Sequence, residues 1–476
     1  MNFSKINELD YKKHIIFLLP KNHNLRDIGL AEKEISYAKE KFQSDSLNLF
    51  FNHFDKKIFI SAIDTSSDLS KQLSQTRKNA YQICKLINSE KIDSIQFSAL
   101  NLNPQIQYAF LEALALSNYQ FTKYLTKDLD KKLNTLNQID VFSNDLSDSL
   151  ILKLNVISQA VSFARDLGNE PYPQLNSENL PEKILQLTQQ TPINVETLNK
   201  TKIQSLNMGG LLAVNSGSKF EPTFSILTYK PENHKNQKPI ILVGKGIVFD
   251  SGGLNLKPTG YIEDMKSDMS GAAAVISTIY AAAKLNLPLY IIGLIPATDN
   301  AISEKSYAPG QIIKISNGLT VEIRNTDAEG RLILADALSF AQKYDPYLVI
   351  DLATLTGSAV CSLGNLAAAL FSTADNSTTE KILNAANLTD ERLVQFPLWD
   401  EYSEMLKSDI ADLKNIGGKN AGAITAAKFL ENFTNYPWIH LDIAPTAFIN
   451  DNKDYRGNGA TGFGVRLLIN FFEQLF

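Results

Sequence analysis

The sequence predicts an α/β protein of two domains, a smaller N-terminal α/β domain and a larger C-terminal α/β domain with a central mixed sheet flanked by helices. The chain has 476 residues, which is more than one ordinary domain contains. Short apolar runs alternate with polar helical stretches up to residue 150. Beyond residue 171 the apolar runs lengthen and glycines cluster, as expected for strands that are covered on both faces.

The first 150 residues alternate between two kinds of segment, and this alternation predicts βαβ units. The predicted strands are Ile15–Leu19, Leu47–Phe51 and Lys57–Ala62, and the predicted helices are Asp68–Ile87 and Pro104–Ser117. The region has no glycine-rich phosphate loop and no cluster of catalytic residue types. We therefore predict a domain at 1–150 to which the sequence assigns no role.

A helix and a proline-rich turn mark the boundary between the two predicted domains. Residues 147–167 carry apolar side chains at helical spacing, and Pro171, Pro173 and Pro181 follow. We therefore predict a linker helix at 151–170 and a second domain at 171–476.

The second domain alternates long apolar runs with helices rich in small residues. Its predicted elements are buried strands at Lys238–Phe249, Leu287–Pro296 and Tyr347–Leu355, helices at Asp268–Leu285 and Arg331–Tyr344, and a hairpin at Gln311–Ile323 that turns at Asn317-Gly318.

Bulk composition narrows the classes of function. A hydrophobic fraction of 44% and a charged fraction of 20% are typical of a soluble globular protein. No segment approaches the roughly 18 apolar residues of a membrane span, and the run at Ile15–Leu19 is too short for a signal peptide. The net charge of −5 offers no basic surface to nucleic acid. Cys84 and Cys361 lack a paired spacing, so we expect two buried thiols and a cytoplasmic protein.

The first segment with candidate chemistry is GKGIVFDSGGLNLKP at 244–258. Lys245 lies within a buried apolar run, which is unfavourable unless the charge has a partner. Asp250 ends the predicted strand, where open α/β sheets place ligands. An alternative is that Lys245 pairs with a structural carboxylate while Asp250 caps the glycine turn.

Two further segments place carboxylates next to helix starts. Asp268 precedes a helix of small residues, where it also suits an ordinary N-cap. Asp327 and Glu329 lie two residues apart before another helix, so both side chains can point to one side, although acidic residues there also favour the helix dipole. Each carboxylate taken alone has a structural explanation.

The four carboxylates together favour a cation site. Such a cluster repels itself unless positive charge fills it, and divalent ions with oxygen ligands are a simple remedy. Pairs of such ions serve aminopeptidases, phosphatases and nucleases, and the residues alone do not choose among these.

Other catalytic patterns are missing from the sequence. It contains five histidines but no HExxH, and no GxSxG nucleophile elbow. His440 alternates with Ile439 and Leu441 in an apparent strand, so we predict a core histidine whose hydrogen bonds are satisfied.

The motifs resemble those of the leucine (cytosol) aminopeptidase family. The resemblance is carried by GKGIVFDSGG, by the lysine of LNLKP, by KSDMSGAAA and especially by NTDAEGRLILADAL. Similar stretches continue at DLATLTG (351–357), GGKNAGAITAAKFL (417–430) and WIHLDIA (438–444), so the resemblance covers about 160–476. It implies that 171–476 is a catalytic metallo-aminopeptidase domain with peptides as substrates.

The resemblance also implies a set of metal ligands. Two divalent ions per subunit, Mn²⁺ or Zn²⁺, are expected. One would be held by Asp250, Asp327 and Glu329 together with the backbone carbonyl of Asp327. The other would be held by Lys245, Asp250, Asp268 and Glu329, with Lys245 as a neutral amine.

Catalytic and binding roles follow from the same resemblance. Lys257 would stabilise the oxyanion formed when a metal-bridging water attacks, and Arg331 would bind a bicarbonate that shuttles the proton. Met265, Thr354 and Gly357 would line a pocket for leucine-like side chains. The family is typically a homohexamer.

Two departures and two rival functions accompany this interpretation. Ser270 replaces a common glycine, and APTAF after Ile443 differs from the usual glycine-containing stretch, although neither touches an expected ligand. The rivals are a DNA-binding accessory protein, which the acidic pI argues against, and another two-metal hydrolase such as a phosphatase.

Overall fold

The computed structural model describes residues 1–450 and 453–475, and its contacts divide the chain into two compact units. The first comprises Met1–Gln159 and Asp451–Gly457, and the second comprises Ala160–Asn450 and Asn458–Phe476. The division lies inside the helix Asp148–Asn169, which overlaps the predicted linker helix. The domain boundaries at 150 and 171 stay a prediction.

The first unit alternates strands and helices. Its strands are β1 (Asn2–Lys5), β2 (Ile15–Pro20), β3 (Asn48–His53), β4 (Lys56–Ile63), β5 (Ser94–Ala99) and β6 (Gln138–Phe142). Its helices are α1 (Glu32–Gln43), α2 (Leu69–Ser89), α3 (Pro104–Asn118), α4 (Leu129–Lys132) and α5 (Asp148–Asn169), which continues into the second unit. A 3₁₀ turn covers Leu25–Ile28.

The first unit is built on a sheet with the order β1-β6-β5-β2-β4-β3. Neighbouring strands are parallel except for the hairpin pair β3 and β4. All residues of β2 are buried, which is expected of a central strand. The strands and helices predicted for this region are confirmed.

The second unit contains more and shorter strands. They are β7 (Ile193–Leu198), β8 (Thr223–Tyr229), β9 (Ile240–Gly244), β10 (Gly246–Asp250), β11 (Ile291–Asn300), β12 (Ile312–Lys314), β13 (Thr320–Glu322), β14 (Leu348–Ala353), β15 (Ala368–Ser372), β16 (Leu393–Gln395), β17 (Leu413–Lys414), β18 (Trp438–Asp442), β19 (Phe448–Ile449) and β20 (Gly459–Ala460). The helices are α6 (Leu180–Thr188), α7 (Lys200–Ser205), α8 (Gly209–Asn215), α9 (Ser270–Lys284), α10 (Gly330–Ala341), α11 (Gly357–Leu363), α12 (Asn376–Thr389), α13 (Gly422–Glu431), α14 (Ala444–Ala447) and α15 (Val465–Leu475). Short 3₁₀ turns cover Met265–Ser267, Gln342–Tyr344 and Asp400–Leu406.

The main sheet of the second unit has the order β16-β15-β18-β14-β9-β11-β8-β7, and β10 pairs with β11. Its centre, β18 to β11, is parallel, whereas β8, β7 and β15 run antiparallel to their neighbours toward the centre. Helices α9 and α15 pack together, with α9 against β9 and β14, while α8 and α13 pack against α10. The predicted mixed sheet with flanking helices is therefore confirmed.

The sequence placed one strand at Lys238–Phe249, and the structure divides it at Lys245. The backbone of Lys245 leaves the regular ladder: its N–H donates to the Leu352 carbonyl at 3.0 Å and its carbonyl accepts from Ala272 at 2.9 Å.

The strand predicted at Leu287–Pro296 lies further along the chain, at β11. Residues before it form the turn after α9, in which Asn286 has a φ of 50°. The polar end of β11 stays in the sheet because its buried side chains have hydrogen-bonding partners.

The two cysteines differ in exposure, so the prediction of two buried thiols is wrong for Cys361. Cys84 is buried in α2, but Cys361 is exposed on α11, a short helix in which Ala359 is the buried residue. The prediction for His440 is confirmed in its burial: the residue is fully buried in β18, and its Nδ1 lies 2.6 Å from Asp351 Oδ1. The prediction that its hydrogen bonds are satisfied is wrong for Nε2, which has no hydrogen-bond partner among the described residues. Among the described residues, no helix combines the length and the apolar character needed to cross a membrane.

Candidate metal centre

The predicted site residues lie where the central strands of the second unit end and two helices begin. Lys245 separates β9 from β10, Asp250 ends β10, and Thr354 directly follows β14. Asp268 precedes α9 by two residues, and Glu329 directly precedes α10. Because β14, β9 and β11 are neighbours, the loops that follow these strands meet at one edge of the sheet, where α/β sheets bind ligands.

Lys245 is buried among oxygen atoms. Its Nζ lies 2.8 Å from Asp268, 2.9 Å from Glu329 Oε1 and 2.8 Å from the Thr354 carbonyl oxygen. Burial alone would lower the pKa of this amine, but the neighbouring negative charges of Asp268 and Glu329 outweigh it and raise the pKa. The pairing with carboxylates that the sequence allowed for Lys245 is therefore present.

The two oxygens of the Asp250 carboxylate have different partners. Oδ1 accepts hydrogen bonds from Gly252 N–H at 2.9 Å and from Asn300 Nδ2 at 2.8 Å, whereas Oδ2 lies 2.8 Å from Lys257 Nζ. The glycine turn that Asp250 caps requires Gly252, which has a φ of 87°. Lys257 Nζ also lies 2.6 Å from Asp327 Oδ1, so this lysine joins two carboxylates.

Asp268 does not act as the helix N-cap that its position allowed. The N-cap of α9 is Met269, and no side-chain cap is formed. Instead, Asp268 Oδ1 accepts a hydrogen bond from the Thr354 hydroxyl at 2.8 Å and another from Lys245. Burial raises the pKa of Asp268, Lys245 opposes this rise, and the charges of Glu329 and Asp250 add to it.

Asp327 and Glu329 complete the cluster from the loop before α10. Burial, followed by the charges of Asp250 and Glu329, raises the pKa of Asp327 to about 7. Glu329 makes no side-chain cap for α10. Its Oε2 is buried and has no hydrogen-bond partner within 1–450 and 453–475.

This donor set fits divalent cations. One carboxylate oxygen from each of Asp250, Asp327 and Glu329 lies within 4.8 Å of the others. Four carboxylates face two lysines and one arginine, which leaves one negative charge without compensation in a buried region. An unpartnered, buried carboxylate oxygen at Glu329 is the kind of ligand that hard divalent ions take.

Arg331, in the first turn of α10, is buried beside the cluster. Burial lowers the pKa of its guanidinium to about 10, although the charges of Glu329 and Asp442 oppose this. Its Nη1 donates to the Asn415 carbonyl at 2.7 Å. Its buried Nε has no hydrogen-bond partner in the described parts of the chain, so a donor is left over for an anion.

The three predicted pocket residues differ in their contacts with the carboxylate cluster. Thr354 contacts Asp268 and Lys245 directly. Met265 is half-buried in the 3₁₀ turn that leads to Asp268, whose N–H donates to the Met265 carbonyl at 3.3 Å. Gly357 is exposed at the start of α11, and a Cβ added there would meet nothing within 4 Å.

Sequence reasoning missed several residues that support the site. Asn300 donates to Asp250, and Asn415 accepts from the backbone of Arg324 at 2.8 Å while its carbonyl holds Arg331. Asp442 accepts from Leu355 N–H at 3.0 Å and from the Thr356 hydroxyl at 2.6 Å, which fixes the loop that carries Thr354. The sequence signal for Asn300 was the polar pair Asp299-Asn300 at the end of an apolar strand.

The fold and the site define an α/β protein with a buried carboxylate and lysine cluster suited to divalent cations. A family model described as the cytosol aminopeptidase family, catalytic domain, matches residues 162–469. The chain therefore belongs to the cytosol aminopeptidase family, and the family predicted from the motifs is confirmed.

Curated relatives agree with this membership. A probable cytosol aminopeptidase of Chlorobaculum tepidum is 52% identical over 308 residues, which cover 64% of this chain and 60% of that protein. One of Histophilus somni is 43% identical over 386 residues, covering 80% of this chain and 77% of that protein. The chain thus spans about three fifths of the length of the first relatives it matches.

A solved structure described as the bottromycin maturation enzyme BotP in complex with Mn has a similar fold. It superposes with a TM-score of 0.86 at 27% sequence identity. The match covers 98% of this chain and 100% of that chain.

Proposed function

We propose that this chain is a metal-dependent aminopeptidase, which removes N-terminal residues from peptides and prefers leucine-like ones. The observation that carries the proposal is the buried convergence of Asp250, Asp327 and Glu329 oxygens within 4.8 Å of one another, next to Lys245. Membership of the cytosol aminopeptidase family supports the same activity. The catalytic domain would be residues 171–476.

The ligands would divide between two divalent ions, Mn²⁺ or Zn²⁺. Asp250, Asp327 and Glu329 would hold one ion, and Lys245, Asp250, Asp268 and Glu329 the other. The Nζ of Lys245 is within 2.9 Å of two of these carboxylates, so an ion among them would be within its reach. Lys245 would bind as a neutral amine, because a dication opposes the protonation that the carboxylates now favour. The similar structure described as BotP in complex with Mn supports manganese as the first ion to test.

Lys257 would stabilise negative charge that develops on the substrate. The ions, when bound, would supply an activated water and polarise the scissile carbonyl. Burial opposes a charge on Lys257, but the negative charges of Asp250 and Glu329 outweigh it and raise the pKa of the amine. A fixed positive charge in a largely buried site is well placed to stabilise an oxyanion.

Arg331 would bind a small anion such as bicarbonate, which would act as the proton shuttle. The buried, unpartnered Nε of Arg331 supports this role, because a charged donor without a hydrogen bond is unfavourable in the interior. Its Nη1 is already held by the Asn415 carbonyl, so the guanidinium plane is oriented before the anion binds.

Met265, Thr354 and Gly357 would line the pocket for the substrate's first side chain. Met265 offers an adaptable apolar surface, and a Cβ added at Gly357 would meet nothing within 4 Å. This combination suits a branched aliphatic side chain such as leucine. We also propose a cytoplasmic homohexamer, as the family resemblance implies.

A panel of aminoacyl p-nitroanilides tests the proposal on protein that has been stripped with a chelator and reloaded with a single metal. We expect leucine to be the best substrate and Glu329→Gln to lose at least about 100-fold in activity. Glu404→Gln, at an exposed ion pair with Lys407, removes the same charge away from the site and should leave activity unchanged. p-Nitrophenyl phosphate serves as the comparison substrate. Preferential hydrolysis of the phosphate, or a fully active Glu329→Gln protein, would contradict the proposal.

A further inference from the structure

Asn300, at the end of β11, is a fully buried amide that contacts two loops of the metal centre. Its Nδ2 donates to Asp250 Oδ1 at 2.8 Å and to the Thr326 carbonyl at 3.0 Å. Both of these neighbours are acceptors, so only the NH₂ end of the amide can face them. The orientation of the side chain is therefore determined by its surroundings.

The amide acts on one particular oxygen of Asp250. Together with Gly252 N–H, it gives Oδ1 two hydrogen bonds, which leaves Oδ2 to face Lys257 and the centre of the site. A carboxylate held in this way cannot rotate freely about its Cβ–Cγ bond. Its second oxygen is thus aimed before any cation arrives.

The same amide ties this carboxylate to the loop that carries two other candidate ligands. Thr326, whose carbonyl accepts from Asn300, directly precedes Asp327. That carbonyl also accepts from the Tyr307 hydroxyl at 2.7 Å. Asn300 therefore fixes the distance between the end of β10 and the loop before α10, where the carboxylate oxygens converge.

The other end of the amide is packed without a polar partner. Asn300 Oδ1 is buried and has no hydrogen-bond partner within the described residues, and a Cβ on Gly253 would lie 3.0 Å from it. A buried amide that leaves one acceptor unsatisfied is unfavourable for folding alone. The two hydrogen bonds that Asn300 donates to the metal centre account for an amide at this position.

We propose that Asn300 is a positioning residue that orients the Asp250 carboxylate and links the two ligand-bearing loops, so that it sets the affinity of the centre for divalent cations. This inference rests on the proposed function only for the presence of the metal. Groups that orient metal ligands through hydrogen bonds typically change metal affinity by about 10- to 100-fold when removed.

The test is the dissociation constant of Mn²⁺, measured by titration calorimetry on stripped full-length protein. Asn300→Ala should weaken Mn²⁺ binding by about 10- to 100-fold. Asn300→Asp keeps the shape but replaces the donor by an acceptor, so it should weaken binding at least as much. Asn300→Ser, which retains one hydroxyl donor, should fall between the wild type and Asn300→Ala.

Asn215 provides the matched control, because it is also a buried asparagine beside β11. Its Nδ2 donates to the Phe220 carbonyl at 2.8 Å and to the Thr298 hydroxyl at 3.0 Å, and it contacts none of the candidate ligands. Asn215→Ala and Asn300→Ala should both lower the melting temperature of the stripped protein, but Asn215→Ala should leave the Mn²⁺ dissociation constant unchanged.

Three results would overturn the assignment. One is wild-type Mn²⁺ affinity in Asn300→Ala, and another is equal weakening in Asn215→Ala. The third is failure of all three Asn300 variants to fold while Asn215→Ala folds, which would make the residue structural. A wild-type protein that binds Mn²⁺ without cleaving any aminoacyl substrate would refute the proposed function and leave this test intact.

Discussion

Gly330, the first residue of α10, provides a sensitive test of how tightly Lys245 must be positioned. A Cβ added at Gly330 would lie 2.5 Å from Lys245 Cε, 2.7 Å from its Nζ and 2.8 Å from its Cδ. The lysine has no simple way to withdraw, since its Nζ is held by Asp268, Glu329 and the Thr354 carbonyl. Gly330→Ala therefore displaces the amine of Lys245.

The size of the displacement gives the size of the expected effect. Carbon atoms pack at about 3.5–4.0 Å, so Lys245 Cε must move by about 1 Å. A misplacement of about 1 Å in a catalytic site lowers the rate by roughly 100-fold. Alanine is a better helix former than glycine, so α10 itself should not be destabilised by the substitution.

The assay compares leucine p-nitroanilide hydrolysis and melting temperature for Gly330→Ala and for Ser339→Ala, a second small substitution in α10. We expect Gly330→Ala to lose about 100-fold in kcat/KM with its melting temperature within a few degrees of the wild type. Ser339→Ala should keep full activity. Wild-type kcat/KM in Gly330→Ala would refute the argument that Lys245 must occupy its observed position.

Three further predictions concern single residues. Lys257→Met should lower kcat by about 100- to 1,000-fold while the bound metal, measured by mass spectrometry, stays the same; metal loss in parallel would contradict its role at the oxyanion. Gly357→Val should lower kcat/KM for leucine relative to alanine substrates by about 10-fold or more, and an unchanged ratio would remove Gly357 from the pocket. Burial raises the pKa of Asp336 to about 7, above its value in the unfolded chain, so its ionisation weakens the fold as pH rises from about 4 to 7. Asp336→Asn should flatten the pH dependence of the free energy of unfolding over this range, as measured by urea denaturation. An unchanged slope would contradict the raised pKa of Asp336.

Sequence patterns predicted the helices and strands better than the long-range contacts between them. Helical and apolar periodicity is local, so β2, α2 and α9 lie where they were expected. The strand predicted across Lys245 is divided there because the backbone of Lys245 makes hydrogen bonds with Leu352 and Ala272, which are distant in the sequence. No local pattern contains those partners.

The candidate site was identified from motifs rather than from geometry. Asp268 had an adequate explanation as a helix N-cap, and only the structure places its carboxylate against Thr354 and Lys245. Asn300 was missed because a polar residue at a strand end resembles the start of a loop. Its contacts with Asp250 and Thr326 depend on the pairing of β10 with β11, which hydropathy does not predict.

A titration of activity against bound metal tests the proposed metal dependence of this chain most directly. Chelator-stripped protein is reloaded with Mn²⁺, and hydrolysis of leucine p-nitroanilide is recorded together with the metal content of each sample. We expect no activity in the stripped protein and full activity as the second ion per chain binds. Full hydrolysis without metal, or none at two ions per chain, would contradict the proposed two-metal site.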